Sequence, residues 1–365
     1  MTGARLVFAY PGALDTPSGG YEYDRRIMAG LERRGWSLMP LSLGVGFPFA
    51  ATEVCERALA QLSGLPQAVP VVIDGLALGV LPAAAATLGA GRPLIGLVHH
   101  PLALESGLSR ETAEGLRTSE RHALAGCRGV IVPSPATARV LTADYGVAPA
   151  QIVVVRPGTH GTGGSGPAPD RRQRTSDDPI RLLAVGSLVP RKGHEILLDA
   201  LSTMADMPFH LDIAGSPDFD PDCAARIREK ARSPALAGRV TLHGVVGREA
   251  LDALYGQADL FVLATRYEGY GMVFAEAVAH GVPVLATGDG AVAETVPEGA
   301  GRVFPAADAA GFRKALRQLL TDAAMREELA AGARRAAARL PDWDTAADEF
   351  AAAVARFTQP REKTR

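Results

Sequence analysis

Short, almost unbroken apolar runs recur along the chain, separated by longer stretches in which apolar positions fall three or four residues apart. In the first half the runs are RLVFAY, VVIDGL, PLIGLVH, GVIVPS and IVVVRP. Between them lie YEYDRRIMAGLERRG, TEVCERALAQL and ATARVLTADYG. A run that is apolar at consecutive positions has both faces covered, the pattern of a strand inside a parallel sheet; the intervening spacing is that of amphipathic helices. Residues 1–157 are therefore expected to form a doubly wound α/β domain.

The alternation then stops. From Gly158 to Pro179 the chain reads GTHGTGGSGPAPDRRQRTSDDP, with almost no large apolar side chain. Such a stretch cannot bury enough surface to order itself, so it is expected to be a linker or hinge. Over residues 180–342 the alternation resumes with IRLLAVGS, FHLDIAG, RVTLHG, LFVLAT and PVLAT, interleaved with KGHEILLDALSTM, DCAARIREKARS, REALDALYGQ and MVFAEAVAHG. LPDWDTAADEFAAAVARF then reads as a helix capped by Asp or Thr, followed by a charged tail, over 343–365. The fold class is α/β, with two Rossmann-like doubly wound parallel-sheet domains expected to face each other across a cleft.

Composition narrows the partners. Among 365 residues, 47% are hydrophobic and 21% charged, and the formal net charge of −2 draws the chain as a whole to neither nucleic acid nor an anionic membrane. Cys55, Cys127 and Cys223 are odd in number and widely spaced, which suits neither a disulfide framework nor a metal-ligand motif and fits a reducing cytoplasm. MTGARLVFAYPG has no basic region followed by a long apolar stretch, so no signal peptide is expected. VPVVIDGLALGVLPAAAATLGA contains Asp74 and is broken by Gly and Pro, so it reads as a strand and a helix rather than a membrane span.

In such sheets ligands bind beyond the carboxyl ends of the strands, where loops enter helix N-termini. GSLVPRKGHEILLDAL leaves the first strand of the second half, and the stripe Ile196, Leu197, Ala200 and Leu201 places a helix start near Gly193. Arg191 and Lys192 thus sit at a strand-to-helix turn, where two fixed cations suit a diphosphate. An isolated pair of this kind is more often a solvated basic turn. TRYEGYGMVFAEAVAHGVP puts Glu268 in a loop and Glu276, eight residues on, in a helix with apolar Val273, Phe274, Ala277 and Val278. Gly269 and Gly271 let backbone N–H groups approach a ligand at the helix start. A carboxylate beside a buried stripe takes hydrogen bonds from a definite partner, and ribose hydroxyls are good donors. At a third strand end, His243-Gly244-Val245-Val246 offers backbone groups and an apolar surface to a nucleobase, although a lone His is more often structural.

Together these pieces resemble the retaining family 4 glycosyltransferases of the GT-B fold. The resemblance rests on Arg191-Lys192-Gly193, on Leu242-His243-Gly244-Val245, and on the E-x7-E pair Glu268 and Glu276 followed by Ala277, Gly281, Pro283 and Val284. It implies a nucleotide-diphosphate sugar as co-substrate, no further cofactor, and transfer of a hexose-type sugar to an unknown hydroxyl acceptor. It further implies that Arg191 and Lys192 neutralise the donor diphosphate and that Glu276 binds the donor ribose. Glu268 would hold sugar and phosphate with the amides of Gly269, Tyr270, Gly271, Met272 and Val273, and Gly186, Ser187, His243, Gly244 and Val245 would complete the donor side. Many relatives have Arg where Ser187 stands, which throws more of the clamp onto Arg191 and Lys192.

The first half carries weaker signals. Gly19 and Gly20 precede a helix in YPGALDTPSGGYEYDRRIMAGL, and VHHPLALESGL closes a strand with His99 and His100. The resemblance places both segments on the acceptor side, with one histidine bordering the sugar; His99 is preferred to His100. It implies no covalent histidine nucleophile, and no Asp cluster suggests a metal, so metal independence is expected. Arg25, Arg26, Arg33 and Arg34 with Phe47 and Phe49 read as a membrane-touching patch or, more simply, as a solvated helix face. In relatives a terminal helix crosses back onto the first domain, which is expected here beyond about Trp343. A nucleotide-sugar epimerase and a non-catalytic sugar-nucleotide binding protein are the alternative readings.

Overall fold

The computed structural model describes residues 4–159 and 178–359; most of the expected hinge, 160–177, and the end of the tail, 360–365, lie outside the described residues. The chain divides into two compact units, Met1–Gly158 with Pro341–Arg365, and Thr159–Leu340.

The first unit is built on a six-stranded, all-parallel sheet in the order β2-β1-β3-β4-β5-β6. Its strands are β1 (Arg5–Tyr10), β2 (Ser37–Ser42), β3 (Val71–Asp74), β4 (Leu94–Leu97), β5 (Gly129–Val132) and β6 (Ile152–Val154). The central strands are the apolar runs of the sequence: Leu6, Val7, Phe8 and Ala9 are fully buried, as are Val71, Val72 and Ile73. β2 was not legible as a strand. Its sequence, SLMPLS, carries Pro40 and no fully buried position. It pairs only with β1, and an edge strand tolerates a proline because one side of its backbone needs no ladder partner.

The helix Trp343–Thr358 belongs to this unit. Asp342 caps it by accepting from the Thr345 amide at 2.7 Å. Phe350, fully buried, packs on Phe8 with ring centroids 6.2 Å apart. On its flank Arg33 pairs with Asp344 at 3.1 Å and Arg34 with Asp348 at 2.5 Å. Those pairs tie both arginines to acids of the terminal helix. Arg25 and Arg26 are likewise tied to Glu22, and Phe47 is buried in the core, so of the two phenylalanines only Phe49 is exposed. Among the described residues no helix is long and apolar enough to cross a membrane.

The second unit repeats the plan in the order β12-β11-β10-β7-β8-β9, all parallel. The strands are β7 (Ile180–Val185), β8 (Phe209–Ala214), β9 (Val240–Gly244), β10 (Leu260–Glu268), β11 (Val284–Gly290) and β12 (Gly301–Phe304). β12, GRVF, was missed for the same reason as β2: it is a half-exposed edge. β10 also runs further than its apolar part. TRYE continues as strand through a register shift against β11 between Ala264 and Tyr267, so Glu268 ends a strand rather than sitting in a loop.

Candidate active site

In the second unit β7 lies between β10 and β8. The connections leaving β7 and β10 therefore part to opposite sides, and the carboxyl ends of these two strands frame the crevice where such sheets bind ligands. The Arg-Lys turn leaves β7 at this point. Gly193, with φ +64°, closes it in the left-handed region, and a Cβ there would overlap the Ala264 carbonyl oxygen of β10. Glycine thus lets the turn press directly onto β10 and brings its cations to Glu268.

Three charges meet there. Lys192 Nζ donates to Glu268 Oε1 at 2.7 Å, and Arg191 Nη1 donates to Glu268 Oε2 at 3.2 Å and to the Tyr267 carbonyl at 3.0 Å. The Thr265 hydroxyl lies 2.9 Å from Glu268 Oε1. Glu268 is only 5% exposed. Burial pushes its carboxyl up, but Lys192 and Arg191, with hydrogen bonds from Lys192 and Thr265, outweigh burial and hold it at about 2. With Glu268 ionised, the trio carries one net positive charge and the acid fixes both cations. Gly186 completes the turn: a Cβ there would stand 3.1–3.2 Å from the Lys192 stem, and its carbonyl accepts from buried His194 at 3.0 Å. Ser187 follows, its carbonyl accepting from the Val189 amide at 2.8 Å.

Glu276 lies on the helix Met272–Ala279 and is held at both oxygens, Oε1 by Arg248 at 2.9 Å and Oε2 by the Tyr255 hydroxyl at 3.0 Å. Burial raises its carboxyl, and Arg248 and Tyr255 draw it only partly back. Between the two glutamates, Gly269 and Tyr270 lead to Gly271, which has φ +87° and caps the helix. The Tyr270 carbonyl accepts from Thr295 at 2.5 Å, and Met272 and Val273 open the helix, the Val273 carbonyl lying 3.2 Å from the Tyr255 hydroxyl. The ring of His243 is taken up by Asp212, Nε2 to Oδ1 at 2.8 Å. Gly244 anchors its loop by accepting from the Gly215 amide at 2.8 Å, which leaves Val245 54% exposed just beyond.

In the first unit His99 follows β4. Its Nε2 is 2.9 Å from Asp24 Oδ1 and 3.4 Å from Asp74 Oδ2. Asp74 ends β3 and also caps Leu76 at 2.7 Å; Asp24 projects from the helix Gly19–Arg33 and is fully buried. Gly19 and Gly20 are the first residues of that helix, not a loop before it, and a Cβ on Gly20 would stand 3.3 Å from the His99 ring. Burial lowers the His99 pKa, but the two carboxylates override it and raise it to about 10, favouring the charged ring. His100 turns to Glu105, 3.9 Å away. Asp24, Asp74 and His99 also form the one group among the described residues with metal-ligand composition, their donor atoms within 4.8 Å of one another. Their separation along the chain had hidden that grouping.

Comparison with known proteins decides the family. The sequence model described as Glycosyl transferases group 1 matches residues 168–336, and that described as Glycosyltransferase Family 4 matches residues 16–160. The chain belongs to the family 4 glycosyltransferases. Among curated relatives of this family 4 chain, mannosylfructose-phosphate synthase of Agrobacterium fabrum is 31% identical over 189 residues, 49% of this chain and 41% of that one. D-inositol 3-phosphate glycosyltransferase of Geodermatophilus obscurus is 32% identical over 227 residues, 59% of this chain and 50% of that one. The chain thus matches about half the length of these relatives. The fold is GT-B. Sucrose-phosphate synthase of Thermosynechococcus elongatus superposes with a TM-score of 0.76 at 22% identity, covering 96% of this chain and 98% of that one. HepE of Anabaena, in complex with UDP and glucose, gives 0.72 at 18% identity, covering 97% and 100%.

Sequence reasoning for this family 4 chain had not singled out Thr265, Arg248, Tyr255 or Asp24. Arg248 and Asp252 stand four apart on the helix Arg248–Gln257, a readable pairing signal, but the hold on Glu276 crosses to another helix. Asp24 lay between Tyr23 and Arg25 in what reads as an exposed charged face.

Proposed function

We propose that this chain is a retaining, metal-independent glycosyltransferase that moves a hexose-type sugar from a nucleotide-diphosphate donor to a hydroxyl acceptor. The observation that carries the reading is the junction of Arg191 and Lys192 with Glu268 at the crevice of the second sheet, with Glu276 following on the helix Met272–Ala279. The two cations suit a diphosphate, Glu276 suits ribose hydroxyls, and Glu268 orients the cations while offering a carboxylate edge to the sugar. Family membership supports transfer over the epimerase and binding-protein readings, and HepE, crystallised with UDP, supports a nucleoside diphosphate.

In this mechanism the C1–O bond to the donor β-phosphate breaks while the acceptor oxygen bonds to C1 on the same face. The acceptor's proton passes to the leaving phosphate oxygen. Charge grows on the diphosphate as that bond breaks, and preformed cations gain most there, which is where Arg191 and Lys192 lower the barrier. No side chain is asked to act as base; His99, raised by its two carboxylates, is suited to donating hydrogen bonds rather than accepting protons.

Thermal-shift and calorimetric screening of UDP, GDP, ADP and their hexose conjugates tests the donor, followed by NMR of anomeric configuration in the product. Tight binding of one nucleoside diphosphate and an axial-to-axial outcome are expected. Activity that vanishes after EDTA treatment and returns with a divalent ion would overturn metal independence, and isomerised donor without acceptor would point to the epimerase.

A further inference from the structure

The hold on Glu276 is more elaborate than a ribose-binding carboxylate requires on its own. Arg248 Nη1 donates to Glu276 Oε1 at 2.9 Å, while its Nη2 and Nε donate to Asp252 at 2.6 and 3.1 Å. His280 Nε2 is 3.2 Å from the same Asp252, its Nδ1 is 2.9 Å from the Glu276 carbonyl, and its ring stacks on Tyr255 at 5.0 Å. Tyr255, fully buried, closes the loop with its hydroxyl on Glu276 Oε2 at 3.0 Å. Arg248, Asp252, His280 and Tyr255 thus form a closed ring around one carboxylate.

The ring has a chemical consequence. Each carboxylate oxygen offers about two acceptor positions. Arg248 occupies one on Oε1 and Tyr255 one on Oε2, so one position per oxygen is left, and two vicinal hydroxyls donate to a carboxylate in that paired way. Burial alone favours the neutral acid, which accepts poorly, and the guanidinium opposes that. We infer that Arg248 and Tyr255 are positioning residues for the donor: they hold Glu276 turned so that it takes the ribose 2′- and 3′-hydroxyls together, making this ring the device that selects ribonucleotides over deoxyribonucleotides. This rests on the proposed donor site.

The experiment compares calorimetric Kd values for UDP and 2′-deoxy-UDP, or for GDP and 2′-deoxy-GDP should guanine bind tighter, in wild type, Glu276→Gln, Arg248→Ala, Arg248→Lys and Tyr255→Phe. Wild type should prefer the ribonucleotide by about 10-fold or more, the scale of a hydrogen bond to a charged group. Arg248→Ala and Tyr255→Phe should each cut that preference by at least about 3-fold, mainly through weaker ribonucleotide binding, and Arg248→Lys should recover part of it. Tyr255→Phe keeps the buried ring and serves if Arg248→Ala fails to fold. If Glu276→Gln leaves the preference intact, the ribose reading itself is wrong. If Glu276→Gln abolishes it while folded Arg248→Ala and Tyr255→Phe retain it, the ring only supports the fold and this inference alone is overturned.

Discussion

Replacing Lys192 by alanine probes the charge balance at the crevice. Lys192, Arg191 and Glu268 sum to one positive charge, and removing the ammonium leaves a neutral pair facing an incoming diphosphate. Arg191 cannot compensate, because it is committed to the Tyr267 carbonyl and Glu268. A hydrogen bond to a charged group contributes about 1.5–3 kcal/mol, so Kd for the nucleoside diphosphate should rise about 10- to 150-fold. Because charge on the diphosphate increases in the transition state, kcat should fall by about 10²–10³-fold in addition. Folding should survive, since Glu268 keeps Arg191 and Thr265. Glu268→Gln is the mirror experiment: it removes one negative charge beside the two cations and should tighten diphosphate binding while turnover falls. Calorimetry, saturating-donor kinetics and a melting curve for each variant check this. A folded Lys192→Ala with near-wild-type kinetics, or a Glu268→Gln that binds diphosphate more weakly, would refute the assignment.

The other expectations concern the scaffold and its titration. Gly193→Ala combines left-handed backbone with an overlap on the Ala264 carbonyl and should cost about 2–4 kcal/mol, read as a lowered denaturation midpoint. Glu268, depressed to about 2 from 4.5, contributes stability that is present above pH 4.5 and lost as pH falls toward 2; melting temperatures measured across that window should fall less steeply in Glu268→Gln than in wild type. His99 is raised, so its contribution is complete below its ordinary pKa of 6.5 and disappears as pH rises through about 10; its NMR signals should stay those of an imidazolium at pH 8, and Asp24→Asn should bring the midpoint down. Phe350→Ala removes a fully buried ring from the contact with Phe8 and should destabilise by about 3–5 kcal/mol, by denaturant titration.

What the sequence made legible follows from burial. β1, β3, β7 and the apolar part of β10 announce themselves because their central positions are covered on both faces and so must be apolar. β2 and β12 do not, because an edge strand covers less and can carry Pro40 or Arg302 without penalty. Residue types at strand ends were readable too, since the crevice rule says where to look. Their pairings were not. Lys192 and Glu268 are 76 positions apart, and nothing in the order of segments says that β7 inserts beside β10. That insertion has a further effect. The polar tetrapeptide TRYE looks like a loop, yet its register shift against β11 carries Glu268 onward as strand to the level of the Arg-Lys turn. Had β10 ended with its apolar residues, the acid would have sat in a mobile loop, and two adjacent cations would have been left to repel each other. The sheet order thus ties a common basic turn to a fixed carboxylate.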